Sequence, residues 1–516
     1  MIVTVPPALL QAIPQGADYV RILPELVLTA FGILIMLLDP LVDEEKSQRT
    51  LGLIGFAGAL AALVSTWFMA QSPGLAFSKM VKVDSFSVFF HVLVIAIAAV
   101  VILTSFEYMA VQKIRASEYY ALILFGVVGM CLMSSAVELV LIFIAIEISS
   151  ISTYILAGFR RQEAASSESS LKYFLLGSFA TAFFLYGVAM MFGATGSTNI
   201  DVISQALQAS PVGVLVYVAT ALMFVGLGFK VAAAPFHIWT PDVYEGAPAP
   251  VVGFMSTAPK AAAFAVLLRV VFTINAPGRF WLVWVAAALS MTLGNVGALV
   301  QTNVKRLLAY SSIAHAGYLL VAFAMTTPED SAMGISAAMF YTAAYAAMNV
   351  GAFAVVSHFA NAGERYVTLE DYEGLGRTSP LLAATLSLFL LSLIGIPITG
   401  GFFAKFYVFS AALKANLIWL TLIGVVNSAI GAYYYLRIMV MMYMREARKE
   451  VPVTPVPFGL GLALALSIVA TLYLGILPNG VLQYAQRSAQ GLLPQQAAPA
   501  TAGVAQIQPP VNIPRH

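Results

Sequence analysis

The chain has 516 residues, of which 60% are hydrophobic and 10% are charged, and its formal net charge at pH 7 is +2. Soluble domains are roughly 45 to 50% apolar and about 25% charged, so this composition excludes a soluble globular protein. The 26 Lys and Arg residues are scattered along the chain. This scatter excludes the clustered basic surface of a nucleic-acid-binding protein.

Long continuous apolar runs make up most of the sequence. Backbone groups in lipid must pair within a helix or a closed barrel, and barrel strands alternate apolar with polar residues, so these runs predict an all-α integral membrane protein. A helix that crosses about 30 Å of hydrocarbon needs roughly 20 residues. Divided at their charged, Gly-rich and Pro-rich breaks, the runs predict about fourteen transmembrane helices, with centres near Ala30, Ala61, Ala96, Phe125, Ile144, Ala180, Met223, Phe264, Ala288, Leu320, Tyr345, Ser392, Gly431 and Leu466.

The two ends of the chain are predicted to differ in structure. The N-terminus lacks the positively charged start of a secretory signal, so the first apolar run, from Ile22 to Leu38, is predicted to remain as helix one. The tail from 491 to 516 is rich in Ala, Pro and Gln and is predicted to be disordered. Lys and Arg, Lys305 among them, are enriched in the loops on one side of the segments. The positive-inside rule makes that side the inner one and places both termini on the outer side.

Segments seven and twelve are both interrupted beside a lysine, in the stretches GLGFKVAAAPFHIWTPD and LIGIPITGGFFAKFYVF. If residues 116–276 and 277–446 form two five-helix units, each break falls in the fourth helix of its unit, and the odd helix number inverts the second unit. Paired breaks of this kind mark ion sites in transporters. Residues 1–115 then hold helices one to three, and residues 447–490 hold helix fourteen. Two unrelated proline kinks are the alternative.

Two charged residues are predicted to lie deep in the membrane and to act together. Glu147 lies in the middle of segment five, and Lys230 lies near the centre of segment seven, just before the Pro235 break. Burial disfavours the charged form of a lysine, and a nearby carboxylate favours it. Movement of Glu147 toward or away from Lys230 would therefore switch whether the lysine holds a proton. A structural salt bridge is the alternative for both residues.

Two further lysines extend this row of membrane charges. Lys260 follows Pro259 about halfway along segment eight, and Lys405 follows the break in segment twelve. A charge at the bilayer centre costs about 2.5 to 3.5 kcal/mol on insertion scales, so such residues usually face a bundle interior and serve transport. Lys405 is predicted to do in the second unit what Lys230 does in the first. For each lysine, structural pairing with a carbonyl or an acid is the alternative.

Four weaker candidates could assist the lysines. His237 lies in the break after segment seven, and because an imidazole titrates near pH 6.5 it is predicted either to relay protons or to be a hydrogen-bonded structural histidine. His315, in the second helix of the second unit, is either a gate or a packed histidine. Glu168 and Lys172 stand four residues apart in the favourable order for a helical ion pair, so they are either auxiliary proton sites or a local stabilising pair.

The remaining polar residues exclude several kinds of site. Cys131 is the only cysteine, so this chain alone cannot hold a disulfide or a cysteine-ligated iron–sulfur cluster. Neither a dinucleotide fingerprint nor a Walker phosphate loop occurs, and no cofactor-binding or metal-ligating residues are predicted. His91 and His358 are predicted to have no polar neighbours, and Arg269 and Arg437 are predicted to be structural.

Four longer motifs lie in the central and C-terminal membrane region: APFHIWTPDVYEGAP (234–248), STAPKAAAF (256–264), KRLLAYSSIAHAGY (305–318) and GIPITGGFFAKF (395–406). Together they resemble the antiporter-like membrane subunits of proton-pumping NADH:quinone oxidoreductase, respiratory complex I. The sequence VYEGAP followed by TAPK is more similar to the subunit N family than to the L and M subunits or the sodium/proton antiporters of the same superfamily.

The resemblance implies a fold of two inverted five-helix units with broken seventh and twelfth helices. By position it implies that Glu147 is the membrane glutamate of the family, Lys230 its channel lysine, Lys260 the connecting lysine and Lys405 the second-unit lysine, with His237 between them as a relay. It also implies that the redox reaction takes place in other subunits.

A member of this family would be one subunit of a translocase, moving protons while its partners oxidise NADH and reduce quinone with FMN and iron–sulfur clusters. The implied partners are the other membrane-arm and peripheral-arm subunits and membrane lipid, with no nucleic acid. The implied location is the inner (plasma) membrane of a bacterial cell. A sodium/proton antiporter subunit without redox coupling is the alternative.

Overall fold

In a computed structural model of the chain, the described residues are 14–42, 44–112, 114, 117–209, 212–360, 362–448, 451 and 454–493. These residues are almost entirely helical, apart from one antiparallel hairpin of two three-residue strands. Of the tail predicted to be disordered, residues 494–516 lie outside the described part of the chain.

The elements follow one another in chain order as α1 (Gly16–Arg21), α2 (Leu23–Leu38), α3 (Glu44–Ala70), β1 (Gly74–Ala76), β2 (Val81–Val83), α4 (Ser85–Val111), α5 (Ser117–Ser135), α6 (Leu139–Ala157), α7 (Ala164–Thr195), α8 (Ile200–Ala209), α9 (Val214–Val231), α10 (Trp239–Gly246), α11 (Ala249–Met255), α12 (Ala258–Arg269), α13 (Arg279–Leu299), α14 (Val304–Val321), α15 (Pro328–Ala360), α16 (Leu375–Thr378), α17 (Pro380–Ile394), α18 (Gly400–Lys414), α19 (Ile418–Met444), α20 (Phe458–Ile476) and α21 (Asn479–Gln490). A π-helical turn, Val270–Ile274, continues α12.

Within the described residues, thirteen helical segments are long and apolar enough to cross a membrane. This confirms the predicted all-α membrane fold. All fourteen predicted centres lie on helices, but the one near Ser392 lies on α17, which has only 15 residues. Because 15 residues of α-helix span about 22 Å, α17 is too short to cross about 30 Å of hydrocarbon alone. The twelfth segment is therefore two short helices, α17 and α18, rather than one continuous span.

The interior of the bundle is formed by α11, α12, α14 and α15. Every side chain of α12 is buried, including its single lysine and its single arginine. The sequences of α12 and α15 are rich in Ala, and small side chains allow neighbouring membrane helices to approach closely. Polar groups on these helices are consequently held away from lipid and face one another.

Both predicted helix interruptions are present. Residues 232–238 separate α9 from α10, with Ala232 in the left-handed region and Pro235 in the turn. Residues 395–399 separate α17 from α18, with Gly395 at a φ of 95°. Proline lacks a backbone N–H and so cannot donate the hydrogen bond that continues a helix. Pro235 has this effect in the first break and Pro397 in the second. Each break leaves helix-end carbonyl groups inside the protein.

Gly401 lies where the first turn of α18 packs against α17. A Cβ atom at this position would overlap the backbone carbonyl oxygen of Ser392. Gly401→Ala is therefore expected to destabilise the protein by roughly 1–3 kcal/mol, the usual range for overpacking. The check is the melting temperature of the purified protein. Gly461→Ala is the control, because its nearest atom is 3.8 Å from the added Cβ; equal melting temperatures for the two variants would contradict the expectation.

Candidate functional site

Lys230 lies in the last turn of α9, immediately before the first break. Lys230 is 3% exposed, and its Nζ makes no hydrogen bond within the described part of the chain. Tyr154 and Tyr173 face the ammonium group, with ring centroids 5.7 Å and 5.8 Å from Nζ. Cation–π attraction stabilises the charged form but leaves the three N–H donors unsatisfied. The ammonium group is therefore stabilised by aromatic faces and by no hydrogen-bond acceptor among the described residues.

Glu147 lies in the middle of α6, and its Oε1 is buried without a hydrogen-bond partner among the described residues. The carboxylate interacts electrostatically with Lys230 and with Tyr154. Among the ion pairs within 4.0 Å in the described residues, none joins Glu147 to Lys230. The geometry corresponds to the open form of the hypothesised pair, in which the carboxylate acts on the lysine across a gap.

Lys260 lies in the first turn of α12, against α14 and α15. Its Nζ donates to Ser312 Oγ at 2.5 Å, and the Tyr345 hydroxyl donates to the same oxygen at 2.7 Å. The ring of Tyr244 faces the ammonium group from the other side, with its centroid 5.9 Å from Nζ. Unlike Lys230, Lys260 is held by neutral hydroxyl groups and has no carboxylate partner among the described residues.

His315 links the surroundings of Lys260 to the second unit. Its Nδ1 is 2.7 Å from the Tyr341 hydroxyl and its Nε2 is 3.2 Å from the Tyr435 hydroxyl. A cavity of about 10 Å³ is lined by Lys260, His315 and Tyr341, among other residues. This volume is sufficient for about one water molecule. The predicted gate histidine is thus a fully hydrogen-bonded group beside a small cavity.

Lys405 lies on α18 and reaches back to the end of α17. Its Nζ donates to the carbonyl oxygens of Leu393 at 3.0 Å and Ile394 at 2.9 Å, and the Tyr318 ring centroid lies 5.0 Å away. The C-terminus of a helix carries partial negative charge, which favours a cation at this position. The second break therefore supplies the counter-charge for Lys405. It does so with helix-end carbonyls, whereas Lys230 has a carboxylate nearby.

Aromatic side chains occupy the space between the first two lysines. Tyr173, which faces Lys230, stacks on Trp239 with ring centroids 4.4 Å apart. Trp239 in turn contacts Tyr244, which faces Lys260. The Tyr244 hydroxyl is buried and has no hydrogen-bond partner in the described chain.

His237 lies in the turn between α9 and α10, with its side chain partly buried. Its Nδ1 has no hydrogen-bond partner, and in the described residues the ring is not hydrogen-bonded to either Lys230 or Lys260. The aromatic side chains just named, rather than His237, face the two lysines. The structure therefore places His237 at the break without joining it to the row.

Glu168 and Lys172 form the expected i, i+4 pair, with a distance of 2.7 Å between Lys172 Nζ and Glu168 Oε1. Lys172 also pairs with Asp242 at 2.9 Å, and Asp242 pairs with Arg306 at 2.7 Å. The side chains of Glu168 and Lys172 are 64% and 42% exposed. They belong to a surface network that fastens α10 to α7 and α14, away from the buried lysines.

A buried ion pair that sequence reasoning missed lies at the start of α14. Lys305 was predicted to lie in a basic inner loop. It is instead 1% exposed, and its Nζ lies 2.6 Å from Glu364 Oε2. Glu364 also accepts hydrogen bonds from the Tyr108 hydroxyl and from the Ala249 backbone. Burial alone would raise the pKa of Glu364, but the charge and hydrogen bond of Lys305 hold that pKa below its ordinary value of 4.5. The sequence around Glu364 is an ordinary polar loop and gives no signal of this contact.

Arg269, predicted to be structural, is 2% exposed and forms a bidentate ion pair with Asp84. Its guanidinium group also donates twice to the carbonyl oxygen of Ser134. Burial alone would raise the pKa of Asp84, but the charge and hydrogen bonds of Arg269 hold it below the ordinary value of 3.8. The contacts suit a residue that fastens α12 to α4 and α5.

The prediction that His91 has no polar neighbours is wrong. Its Nε2 lies 3.0 Å from Glu25 Oε1, and its Nδ1 lies 2.7 Å from the Ser87 carbonyl oxygen and 3.0 Å from Ser134 Oγ. Ser87 lies one helical turn away on α4, but Glu25 on α2 and Ser134 on α5 are 66 and 43 residues away in sequence, so the local pattern around His91 could not reveal those two partners. The Nε2 of His358 donates to the Thr454 carbonyl oxygen at 3.1 Å, its one hydrogen bond among the described residues.

Comparison with known proteins places this geometry in context. Residues 136–431 match the family model described as "NADH:quinone oxidoreductase/Mrp antiporter, TM". The chain is 66% identical to NADH-quinone oxidoreductase subunit N 2 of Koribacter versatilis, over 93% of this chain and 99% of the relative. It is 51% identical to NADH-quinone oxidoreductase subunit N 1 of Solibacter usitatus, over 92% of this chain and 98% of the relative.

Solved structures of similar fold include two kinds of membrane complex. A chain of respiratory complex I from Thermus thermophilus with bound aureothin superposes with a TM-score of 0.76 at 36% identity, covering 89% of this chain and 98% of that one. A chain of the Mrp complex from Dietzia superposes with a TM-score of 0.79 at 22% identity, covering 92% and 97%. At that identity the second likeness shows a shared fold only.

Proposed function

This chain belongs to the subunit N family of NADH-quinone oxidoreductase, and from that premise we propose that its buried lysines form the route by which it translocates protons. As a family member it is a proton-translocating, antiporter-like subunit in the membrane arm of a bacterial respiratory complex I, and a multi-pass membrane protein. The residues that carry the protons, and the order in which they act, are the content of the proposal.

One observation carries the proposal: Lys230, Lys260, His315 and Lys405 are all buried and are linked by contacts through aromatic side chains, and none of the lysines forms a direct ion pair with a carboxylate in the described residues. A lysine neutralised by a fixed carboxylate would hold its proton permanently. These three lysines are stabilised by aromatic faces, hydroxyls and helix-end carbonyls, which leave the proton transferable.

The proposed switch is the Glu147–Lys230 gap. When Glu147 approaches Lys230, the charged form of the lysine is stabilised and a proton is taken up; when the carboxylate withdraws, the proton is released toward Lys260. Ser312 and His315, which are hydrogen-bonded to tyrosine hydroxyls, would pass it toward Lys405. Protons would thus move from Lys230 toward Lys405 each time Glu147 approaches Lys230 and then withdraws.

The finer architecture belongs to the same proposal. The broken twelfth segment would make fourteen crossings in all, with residues 116–276 and 277–446 as inverted units and both termini on the outer side of the membrane. The redox groups, FMN, iron–sulfur clusters and quinone, would be bound by partner subunits of the membrane and peripheral arms. A buried lysine beside each of the two breaks, Lys230 before the first and Lys405 after the second, supports the paired units.

The charge of Glu147 provides a direct test. Glu147→Gln keeps the side-chain size but removes the charge that tunes Lys230, so proton pumping by the assembled complex in proteoliposomes is expected to fall severalfold at an unchanged level of assembly. Glu118→Gln is the control, because Glu118 is exposed and its one ion pair among the described residues is with the exposed Arg161. Equal pumping by the two variants would refute the proposed switch.

A sodium/proton antiporter is the second candidate, because the matching family model covers both complex I and Mrp antiporter subunits. The proposed function predicts that NADH-driven acidification persists in sodium-free potassium buffer, since a lysine row carries protons and offers no anionic oxygen cage for sodium. Pumping that stops without sodium and returns when sodium is added would favour the antiporter. The control is the same preparation with an uncoupler, which must abolish acidification in either case.

A further inference from the structure

We propose that Glu25 and His91 form a second proton-binding site, separate from the lysine row, in which a single proton lies between Glu25 Oε1 and His91 Nε2. The two residues come from α2 and α4, outside both five-helix units, and the proposed route does not use them. Glu25 is 4% exposed and His91 is completely buried. The ligand of the site is a proton, and the site is defined by one 3.0 Å contact.

The position of the proton follows from the other nitrogen of the imidazole ring. His91 Nδ1 lies 2.7 Å from the carbonyl oxygen of Ser87, and a carbonyl oxygen can only accept a hydrogen bond. Nδ1 must therefore carry a hydrogen, because two lone pairs at this distance would repel. A neutral ring with hydrogen on Nδ1 has a bare lone pair on Nε2.

The bare Nε2 faces Glu25 Oε1, so the 3.0 Å contact between them requires one additional proton. That proton is held either as a protonated carboxyl donating to Nε2 or as an imidazolium donating to a carboxylate. Both forms are neutral as a pair, which is the form that a buried site tolerates. An ionised Glu25 beside a neutral ring would leave an unpaired charge in the interior.

The second carboxylate oxygen distinguishes Glu25 from a purely structural carboxylate. Glu25 Oε2 is buried and has no hydrogen-bond partner within the described residues. A carboxylate held only for structure would be expected to have both oxygens paired.

The site lies close to one membrane face. Glu25 is in the first turn of α2, and His91 is in the second turn of α4, which begins beside Asp84. Ser134, which contacts His91, also holds Arg269 through its carbonyl oxygen, and Arg269 pairs with Asp84. Among the described residues, two sets of titratable or charged groups lie near the pair. Cys131 on α5 interacts with Glu25, and Arg269, with its partner Asp84, is held by the carbonyl oxygen of Ser134.

Helix α12 connects this site to the lysine row. Lys260 and Arg269 stand nine residues apart on α12, a separation of about 13.5 Å along the helix axis. The Glu25–His91 site is thus linked through Ser134 and Arg269 to the helix that carries Lys260.

The test is infrared difference spectroscopy of the assembled complex during pH steps, with ¹⁵N-labelled histidine. Subtracting the Glu25→Gln spectrum from the wild-type spectrum is expected to reveal either a protonated carboxyl signal with a neutral Nδ1–H ring, or a carboxylate with an imidazolium. His91→Gln removes the other partner of the contact, so the carboxyl and histidine bands that disappear in Glu25→Gln should disappear in this variant too. Glu329→Gln is the control, since Glu329 is an exposed acid at the start of α15, and it should leave the coupled signal intact.

The opposite tautomer would overturn the proposal. A carboxylate on Glu25 beside a neutral His91 with hydrogen on Nε2 would mean that the contact is an ordinary structural hydrogen bond with no shared proton. If Glu25→Gln fails to assemble, Glu25→Asp keeps the titratable group, and its spectrum decides between the same two tautomers. Because the readout is the protonation state of the pair, it is independent of whether the lysine row pumps.

Discussion

Lys230→Ala is expected to lower proton pumping by the assembled complex by at least about tenfold, since proton transfer by a positioned side chain typically contributes about 10² to 10⁴-fold. Lys230 lies at the end of α9, between the electrostatic influence of Glu147 and the aromatic contacts that lead to Lys260. Alanine removes the only amine at this point of the row. Protons arriving from the Glu147 side would have no group on which to reside.

The loss should appear in transport and not in assembly. Lys230 Nζ makes no hydrogen bond in the described structure, so its removal breaks no strong contact, and alanine favours the helix. The measurement is acidification per NADH oxidised in proteoliposomes, with the subunit content checked on a native gel. Lys414→Ala is the matched control, an exposed lysine at the end of α18 that should pump normally.

Two other results of the pumping measurement would count against this expectation or against the assay. Wild-type pumping by Lys230→Ala at normal assembly would contradict the proposed route. Equal losses in Lys230→Ala and Lys414→Ala would indicate that the assay reports general damage. Lys230→Arg adds a sharper comparison, because arginine keeps the positive charge but does not release its proton, and it should pump as poorly as alanine.

The burial of Lys230, Lys260 and Lys405 could be predicted from the sequence because the relevant signal is local. A charge in the middle of an apolar run must face the bundle interior wherever the neighbouring helices lie, and the helix breaks beside Lys230 and Lys405 are visible as Pro and Gly residues. The same reasoning located the fourteen helix centres. The broken twelfth helix was also visible, although its two halves are each too short to count as a span.

The partners of these charges could not be predicted, because they depend on how each helix is rotated about its axis. Helices buried on all sides carry no apolar stripe that fixes this rotation. The open gap between Glu147 and Lys230, the Ser312 contact of Lys260 and the Glu25 contact of His91 all depend on it. The position of Glu364 depends on a loop fold, which has no periodic signal at all.

Glu364→Gln is expected to reduce the amount of assembled complex severalfold, because breaking a buried ion pair from one side typically costs about 3–5 kcal/mol. Lys305 would remain 1% exposed with its charge uncompensated. The contact also joins three parts of the fold: Glu364 accepts from Tyr108 on α4 and from the Ala249 backbone at the start of α11, while Lys305 donates to the Ala247 carbonyl. Glutamine keeps the side-chain length, so the effect reports the charge.

The dependence on pH has a definite sign. Because the pKa of Glu364 is lower in the folded protein than its ordinary value of 4.5, its contribution to stability is fully present above that value and is lost as the pH falls through the folded-state pKa. The wild type should therefore lose melting temperature on acidification in a range where Glu364→Gln, already without the charge, changes less. Melting curves of the purified complex at several pH values measure this difference.

A double variant separates the charge from the packing. Lys305→Met combined with Glu364→Gln removes both charges of the shorter pair and leaves Arg160, which lies 3.5 Å from Glu364, with its other partner Glu163 at 3.3 Å. The double variant is therefore expected to recover a large part of the assembly and melting temperature lost by Glu364→Gln alone, since replacing a buried ion pair as a whole is often nearly neutral. Glu370→Gln, in the same loop but exposed, is the control and should behave as wild type. If the double variant is less stable than the wild type by the sum of the losses of the two single variants, the two side chains are not coupled. The Lys305–Glu364 pair would then not be what holds the loop around Glu364 against the turn at Ala247 and Pro248, between α10 and α11.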